Sequence, residues 1–192
     1  MHELPRLGIF LAMRITGGIY RGRRIDCPPG VIRPAMDCMR ESLFSILGDL
    51  SGESFLDLFS GSGCVGIEAA SRGAATVHLV EKDKLKLATI KANISFVKDC
   101  DIKVFLTDVM RFLSMVKMDY NIVYADPPFP MDGKVQLANL VQSSQAVRKG
   151  GLFIIHYPEE EKGQWPQRIG DLALIDERSY GRSHLKFFRR DE

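Results

Sequence analysis

The run Asp126-Pro127-Pro128-Phe129 combines a carboxylate, two rigid imino acids and a flat ring. It follows the apolar segment 120–125, which predicts a buried parallel strand. Proline lacks a backbone N–H and fixes φ, so this loop is a stiff corner where the strand ladder stops. A carboxylate and a free carbonyl beside a ring can hold a planar group through its amine hydrogens. The alternative interpretation is a strand-ending turn with a packed phenylalanine.

A glycine-rich loop at 61–66 has the spacing G-x-G-x-x-G, with glycines at 61, 63 and 66. It follows a predicted strand and opens a predicted helix, and Glu81 lies about twenty residues further on, at the end of the next strand. Glycines let a ligand approach the backbone closely, and a carboxylate at the second strand end can accept from ribose hydroxyls. Taken alone, this loop fits a dinucleotide-dependent oxidoreductase.

Two further acids shift the expected ligand away from a dinucleotide. Asp57 directly precedes the glycine loop, and Asp108 follows the third predicted strand. A carboxylate beside a pyrophosphate would be repelled, whereas one beside a sulfonium and an amino group would be attracted. Acids at three successive strand ends (Asp57, Glu81 and Asp108) therefore suit S-adenosylmethionine. Each acid alone could instead be a solvated loop residue or a helix N-cap, and Asp108 is well placed to be a cap.

Alternation of strand and helix patterns from residue 54 onward predicts an α/β fold. We expect a doubly wound, mostly parallel seven-stranded sheet with helices on both faces, plus a small N-terminal β-hairpin and helix. The predicted strands are 54–58, 76–80, 101–106, 120–125 and 152–156, followed by an antiparallel hairpin of 172–180 and 184–190. The predicted helices are 35–47, 65–72, 84–96, 109–115 and 134–147, the last of them ended by Gly150-Gly151.

The chain divides into three segments by pattern. Residues 1–12 join no pattern, and we expect them to be disordered or to lie upstream of the natural start. Residues 13–50 form the hairpin and helix unit, and residues 51–192 form the main α/β domain. Four scattered cysteines without a Cys-x-x-Cys pair argue against a zinc site and a disulfide framework and fit a reducing cytosol. No segment is apolar over the length of a membrane span.

Basic residues concentrate at the two ends of the chain, although the net charge is only +2. If the fold brings the two ends together, their basic residues would form one surface that faces phosphates. Otherwise these residues are simply solvated side chains. The N-terminal group is Arg14, Arg21, Arg23, Arg24, Arg33 and Arg40, and the C-terminal group is Arg178, Arg182, Lys186, Arg189 and Arg190.

With segment 57–63, Glu81 and Asp126-Pro127-Pro128-Phe129 in this order, the chain resembles class I S-adenosylmethionine-dependent methyltransferases that act on amino groups. Segments 13–24, 33–47, 68–74 and 180–188 further resemble the bacterial small-subunit (16S) ribosomal RNA guanine-N2 methyltransferase family. The resemblance implies an enzyme that uses S-adenosylmethionine and acts on ribosomal RNA in an assembling particle. It implies cofactor contacts at Asp57, Gly61, Ser62, Gly63, Glu81 and Asp108, catalysis at Asp126, Pro127, Pro128 and Phe129, and RNA contacts along the N-terminal arginines. We also expect a cytoplasmic protein that is a monomer.

Three other functions stay open on sequence grounds. A DNA adenine-N6 or cytosine-N4 methyltransferase shares the Asp-Pro-Pro-aromatic corner, although this chain has no room for a large target-recognition domain. Asp57 argues against a nucleotide-dependent oxidoreductase, and the intact set of acids argues against a non-catalytic RNA-binding module. His156, at the end of the fifth predicted strand, is either a proton shuttle or a hydrogen-bonded structural residue, and we favour the structural role.

Overall fold

The computed structural model describes residues 13–27 and 34–192. Within these residues, eight strands form one sheet in the order β5-β4-β3-β6-β7-β10-β9-β8, and β1 and β2 form a separate two-stranded sheet. The strands are β1 (Met13–Arg14), β2 (Arg24–Ile25), β3 (Ser54–Leu58), β4 (Thr76–Glu81), β5 (Asp101–Leu106), β6 (Tyr120–Ala125), β7 (Val147–Pro158), β8 (Arg168–Ile169), β9 (Leu172–Tyr180) and β10 (Ser183–Arg190).

Five neighbouring strands, from β5 to β7, are parallel. The chain runs outward from β3 to β4 and β5 and then returns to the other side of β3 as β6. The strand order therefore reverses between β3 and β6, and the crevice outside their carboxyl ends is where open α/β sheets bind ligands. Leu58 lies opposite Ala125 in the ladder, so the glycine loop and the Asp126 corner leave the sheet side by side.

The remaining strands extend the sheet in antiparallel fashion. β10 pairs with β7 on one side and with β9 on the other, which confirms the C-terminal hairpin expected from the sequence. The predicted seven strands become eight because Arg168–Ile169 adds a two-residue strand beside β9. Such a short strand carries no period-two pattern that a sequence could reveal.

Helices cover both faces of the sheet, as expected. They are α1 (Pro34–Leu47), α2 (Cys64–Ser71), α3 (Leu87–Ile94), α4 (Val109–Met115) and α5 (Lys134–Ser143), with short 3₁₀ helices at Lys84–Lys86 and Glu159–Gln164. One apolar core contains buried residues of α1, α2 and α3, and a second contains those of α4 and α5. Ile15 and Ile25 of the N-terminal hairpin are buried in the first core, so the hairpin packs on the sheet domain.

The boundary between α5 and β7 differs from the prediction of a helix to residue 147 ended by Gly150-Gly151. The helix ends at Ser143, Gln145 takes a left-handed φ of 59°, and β7 already begins at Val147. Gly150 and Gly151 lie inside β7, where the register with β6 shifts. A Cβ on Gly151 would stand 2.8 Å from the Asn121 carbonyl oxygen, so the glycine allows close approach of two backbones at a bulge rather than a helix end.

Candidate active site

The candidate site lies at the reversal of strand order, where Asp126 leaves β6. The Asp126 N–H donates to the Leu58 carbonyl at 3.2 Å, which ties the start of the Asp126-Pro127-Pro128-Phe129 corner to the end of β3. Asp57 and Tyr124 are opposite each other in the same ladder. The structure therefore brings Asp57, which precedes the glycine loop, close to the predicted catalytic corner, although the two are far apart in sequence.

Asp57 is a buried carboxylate, with 1% of its surface exposed. Its Oδ2 accepts a hydrogen bond from the Gly66 N–H at 3.2 Å. Burial raises the pKa of Asp57 well above its ordinary value, and the charges of Asp126 and Glu81 raise it further. A cationic group placed beside Asp57 would relieve this unfavourable burial of negative charge.

The loop between β3 and α2 turns sharply through three residues with positive φ. Gly61 and Gly63 have φ of 58° and 79°, and Phe59 has φ of 67°. A left-handed conformation is costly for an aromatic residue, so strain collects at this loop, as it does at many ligand sites. The Ser60 hydroxyl donates to the Asp57 carbonyl at 2.8 Å and helps to hold the turn.

Further along the loop, α2 starts very close to β4. A Cβ on Gly66 would stand 2.2 Å from a Leu79 methyl group, so the third glycine permits close packing of helix on strand. The Ser62 carbonyl accepts from the Asn93 side-chain amide at 2.9 Å. Asn93 also exchanges two hydrogen bonds with the backbone of Asp26, so one side chain links the glycine loop to the N-terminal segment.

Glu81 closes the glycine loop from the neighbouring strand. Its Oε2 accepts from the Gly61 N–H at 3.0 Å, and its Oε1 accepts from the Asp83 N–H at 2.9 Å. Lys86 lies 3.4 Å from Oε2. Oε1 accepts one hydrogen bond and can accept a second, so Glu81 can hold the loop and still accept from a ligand hydroxyl.

Asp108 is an exposed N-cap, the role that the sequence offered as its alternative. Its Oδ1 accepts from the Met110 N–H at 2.8 Å at the start of α4. The neighbouring Thr107 N–H donates to the Glu81 carbonyl at 3.0 Å, so the cap lies beside the end of β4. A cofactor contact of Asp108 stays a prediction.

Asp126 is paired with a histidine. Asp126 Oδ1 lies 2.6 Å from Nδ1 of His156, which is almost fully buried near the end of β7. The His156 ring also contacts the Phe129 ring, with centroids 5.0 Å apart and planes at 60°. Pro127 is buried and Pro128 is exposed. The imidazole thus touches both the carboxylate and the aromatic end of the predicted catalytic corner.

Lys134, the first residue of α5, anchors the same corner from the other side. Its side chain is fully buried, and Nζ donates to the carbonyls of Phe129 at 3.1 Å and Met131 at 2.7 Å. Its charge is balanced by Glu161, whose Oε1 is 2.5 Å away. The loop after Asp126 is therefore fixed by a buried ion pair.

The predicted RNA-facing arginines separate into distinct environments. Arg14, Arg21, Arg23 and Arg24 are exposed on the N-terminal hairpin, and Arg23 stacks over the Phe96 ring at 4.0 Å. Arg33 lies outside the described residues.

Arg40 was expected to face RNA, and this assignment is wrong for the structure. The side chain is 4% exposed, donates to the Arg14 carbonyl at 2.8 Å and pairs with Asp37 at 3.0 Å. Its Nε also lies 3.5 Å from the buried carboxylate of Glu68. A buried guanidinium that is held by Asp37 and by the Arg14 carbonyl is poorly placed to reach an RNA phosphate.

The C-terminal basic residues do not form a free cationic surface with the hairpin. Arg178, Arg182, Lys186 and Arg190 are each paired with a carboxylate, and Arg189 donates to the Gly150 carbonyl. Within the described ranges, the exposed arginines without a carboxylate partner include the four of the N-terminal hairpin, together with Arg111, Arg148 and Arg189 elsewhere.

Glu68 attaches the N-terminal hairpin to α2. Its buried carboxylate accepts from the Thr16 N–H at 2.9 Å, the Thr16 hydroxyl at 2.6 Å and the Gly17 N–H at 2.9 Å, and pairs with Arg72 at 3.2 Å. Gly18 has φ of 73°, and a Cβ there would stand 1.8 Å from the Ser71 carbonyl oxygen. The glycine pair therefore lets the hairpin backbone lie directly on the end of α2.

Sequence reasoning missed the roles of Glu68, Asn93 and Lys134. Each is a polar residue inside a helix, and each acts through partners that are remote in sequence or on a loop. Burial of a polar residue on a helix cannot be read from local pattern. The only available indication was that 68–74 belongs to the segments that resemble the family.

No group of three or more His, Cys, Asp or Glu side chains in residues 13–27 and 34–192 is arranged to hold a metal ion. In the same ranges, no helix has the length and apolar character needed to cross a membrane.

Comparison with known proteins places the chain in a family. The family model described as "Conserved hypothetical protein 95" matches residues 13–189. Ribosomal RNA small subunit methyltransferase D of Escherichia coli K12 is 31% identical over 182 residues, covering 93% of this chain and 90% of that protein. A solved structure of Escherichia coli yhhF, whose name assigns it provisionally as a methyltransferase, has a TM-score of 0.84 at 30% identity, covering 94% of this chain and 98% of that one.

A more distant structure, SMU.776 in complex with SAH, has a TM-score of 0.65 at 19% identity, covers 86% of this chain and 52% of that one, and supports the fold alone. The model match spans nearly the whole chain, and the Escherichia coli relative matches over most of its own length. The chain therefore belongs to the bacterial family of small-subunit ribosomal RNA methyltransferases.

Proposed function

We propose that this protein transfers a methyl group from S-adenosylmethionine to the exocyclic N2 amine of a guanine in small-subunit (16S) ribosomal RNA. One observation carries the proposal. The Asp126 corner and the glycine loop meet at the reversal of strand order, joined by the hydrogen bond from the Asp126 N–H to the Leu58 carbonyl. An acceptor-rich corner for an amine thus stands next to a loop suited to a nucleoside cofactor.

S-adenosylmethionine is the methyl donor, and the residues present fit its chemistry. When bound, it supplies an electrophilic methyl group on a positively charged sulfur. Asp57 is a buried carboxylate whose pKa is raised by burial and by the neighbouring acids, so a positive charge beside it would be favourable, and Glu81 offers acceptor capacity for ribose hydroxyls. Gly61 has φ of 58° and open space where a Cβ would be, so a ligand can approach its backbone. Ser62, Gly63 and Asp108 complete the proposed cofactor contacts.

The amine is activated by orientation. The lone pair of the guanine N2 amine is delocalised into the ring, so the amine is a poor nucleophile. Asp126 and the Pro127 carbonyl accept its two hydrogens, which localises the lone pair and directs it toward the methyl group. Phe129 stacks on the base, and Pro128 keeps the loop stiff. The methylated ammonium then loses its proton, so Asp126 need not take it before attack.

The base must leave its stack to reach this corner, as in other base-modifying enzymes. Exposed Arg14, Arg21, Arg23 and Arg24 hold phosphates without reading sequence, and Arg33 is proposed to join them. Arg40 is no longer in this set because it is buried. We further propose that the substrate is an assembling ribosomal particle in the cytoplasm and that the enzyme acts as a monomer. The choice of guanine follows from the family resemblance.

The test is transfer of a labelled methyl group to small-subunit particles and to free RNA, with mass identification of the modified nucleoside. We expect N2-methylguanosine, and Asp126→Ala should lower turnover by roughly 10²–10³-fold because the main acceptor is lost. Asp132→Ala, an exposed acid in the following loop, is the matched control and should keep normal turnover. Formation of N6-methyladenine or N4-methylcytosine, or methylation of DNA instead of RNA, would overturn the proposal.

A further inference from the structure

We propose that His156 is the positioning residue of this site: its Nδ1–H holds Asp126 Oδ1 and so leaves Oδ2 to accept from the substrate amine. The inference rests on the proposed amine methylation and assigns to His156 a task in it. A carboxylate accepts hydrogen bonds and does not donate them, so the ring nitrogen that faces Asp126 carries the hydrogen.

The position of the imidazole is set by the sheet. Ile155, the residue before His156, is opposite Ala125 in the parallel ladder, and Ala125 immediately precedes Asp126. On the other side, His156 is opposite Leu185 of β10. Two ladders therefore fix the backbone that carries the ring, and 2% exposure leaves the ring little freedom. Asp126, by contrast, begins a loop and its side chain is 24% exposed.

The remaining contacts of the ring point to the same task. Within the described residues, His156 Nε2 is buried and makes no hydrogen bond, so the polar contact of this side chain is the 2.6 Å bond to Asp126. A buried imidazole with an unpaired nitrogen is costly to keep as packing alone. The ring also contacts Phe129, so one side chain sets the direction of both the acceptor and the stacking ring.

Fixing one oxygen of a carboxylate matters because the other must meet a weak nucleophile at one angle. Without the Nδ1–H bond, Asp126 could rotate and exchange its two oxygens between solvent and substrate. Misplacement of a reacting group by about 1 Å can lower a rate by roughly 10²-fold. The loss should appear in kcat, because the RNA-binding arginines and the cofactor loop are untouched.

Three substitutions separate this role from simple packing. His156→Asn keeps an N–H donor near the position of Nδ1, His156→Gln places its donor near the position of Nε2, and His156→Leu keeps bulk without a donor. We expect kcat to fall roughly 10²-fold in the Leu and Gln variants and to be largely restored in the Asn variant, with KM for particles and calorimetric affinity for S-adenosylmethionine unchanged.

Normal kcat in either His156→Gln or His156→Leu would overturn the inference. So would an equal loss in all three variants, because the Asn variant retains the donor that the inference requires. If the Leu variant does not fold, the comparison of Asn with Gln still decides. Failure of the wild-type enzyme to methylate RNA would contradict the proposed function itself. The inference about His156 depends instead on the ratios of kcat among the variants.

Discussion

At the scale of single residues, Asp57 shows a conflict between stability and ligand binding. The carboxylate is buried beside two other acids, and the described structure offers it one hydrogen bond, from the Gly66 N–H. A group in this position is unfavourable for the free protein and useful for a cationic ligand. The conflict gives a prediction that depends on pH.

Replacing Asp57 with Asn should stabilise the free protein at neutral pH and weaken its binding of S-adenosylmethionine. Because the pKa of Asp57 is raised in the folded state, the folded protein binds more protons than the unfolded chain, and wild-type stability falls as pH rises above the ordinary value of 3.8. The Asn variant has no carboxyl group to ionise at this position, so its stability does not fall in this way. The Tm of the Asn variant should therefore exceed that of wild type by little near pH 4 and by more at pH 7. Each kcal/mol of added stability should raise Tm by roughly 2–4 °C.

Thermal unfolding across pH and calorimetric titration with the cofactor measure the two effects. Asp119→Asn, which changes an exposed acid just before β6, serves as the control and should alter neither. A Tm difference between the Asp57 variant and wild type that stays constant from pH 4 to pH 7 would contradict the argument.

At the scale of elements, the start of α5 holds the loop after Asp126 through Lys134. Replacing Lys134 with Met should destabilise the fold by about 1–3 kcal/mol, because two carbonyls lose a buried donor and Glu161 loses its partner. Turnover should fall as well, since the Phe129 carbonyl loses the Lys134 donor. Denaturant unfolding and the methyl-transfer assay measure the two effects.

Lys162 offers a matched control in the neighbouring 3₁₀ helix. It is half exposed and pairs with Glu159 at 4.0 Å, and exposed pairs of this kind contribute little to stability. Lys162→Met should therefore change the free energy of unfolding by a few tenths of a kcal/mol. Equal losses in the two variants would mean that burial of Lys134 has no special importance.

The elements also show what local pattern can and cannot predict. The buried strands β3, β4 and β6 are short, mostly apolar runs, so their positions and the parallel sheet were predicted correctly. The end of α5 was misplaced because Gly150-Gly151 satisfies both a helix end and a bulge, and only the approach of Asn121 decides between them. A two-residue strand such as β8 leaves no pattern at all.

The candidate site was predictable where its residues follow strands and not where they act from helices. The predicted acids Asp57 and Asp126 lie together because the carboxyl ends of parallel strands meet at one edge. His156 was named from its place at a strand end, but its bond to Asp126 requires knowing that β7 neighbours β6. Burial of Arg40 depends on Glu68 of another helix, so its sequence alone suggested a surface residue.

At the scale of the whole molecule, the two basic ends of the chain differ in how far their charge is neutralised by acids. The hairpin arginines are exposed, whereas the C-terminal basic residues are largely paired with acids. RNA binding should therefore depend on the hairpin, in spite of the similar count of basic residues at the two ends.

Combined replacement of Arg21 and Arg24 by Ala should weaken binding to small-subunit particles at low salt. Each lost phosphate contact should reduce the slope of log affinity against log salt by about 0.7–0.9. Cofactor affinity should stay unchanged, because neither side chain contacts the glycine loop in the described structure. Binding titrations with particles at several salt concentrations measure both the affinity at low salt and the salt slope.

The paired residues Arg178 and Arg182 are the control for charge alone. They carry the same formal charge but are neutralised by Asp176 and Glu160. Their double replacement by Ala should leave the salt slope nearly unchanged. A slope that falls equally in both double variants would show that the RNA surface extends to the C-terminal hairpin.

The placement of β10 between β7 and β9 has a consequence for biosynthesis. β7 leaves the ribosome before β10, and until β10 arrives, the edge of β7 that carries His156 has unpaired backbone groups. An open sheet edge is a template for pairing with other chains. We therefore expect any partly folded state that lacks β10 to expose this edge beside His156 and to aggregate more readily than the complete domain.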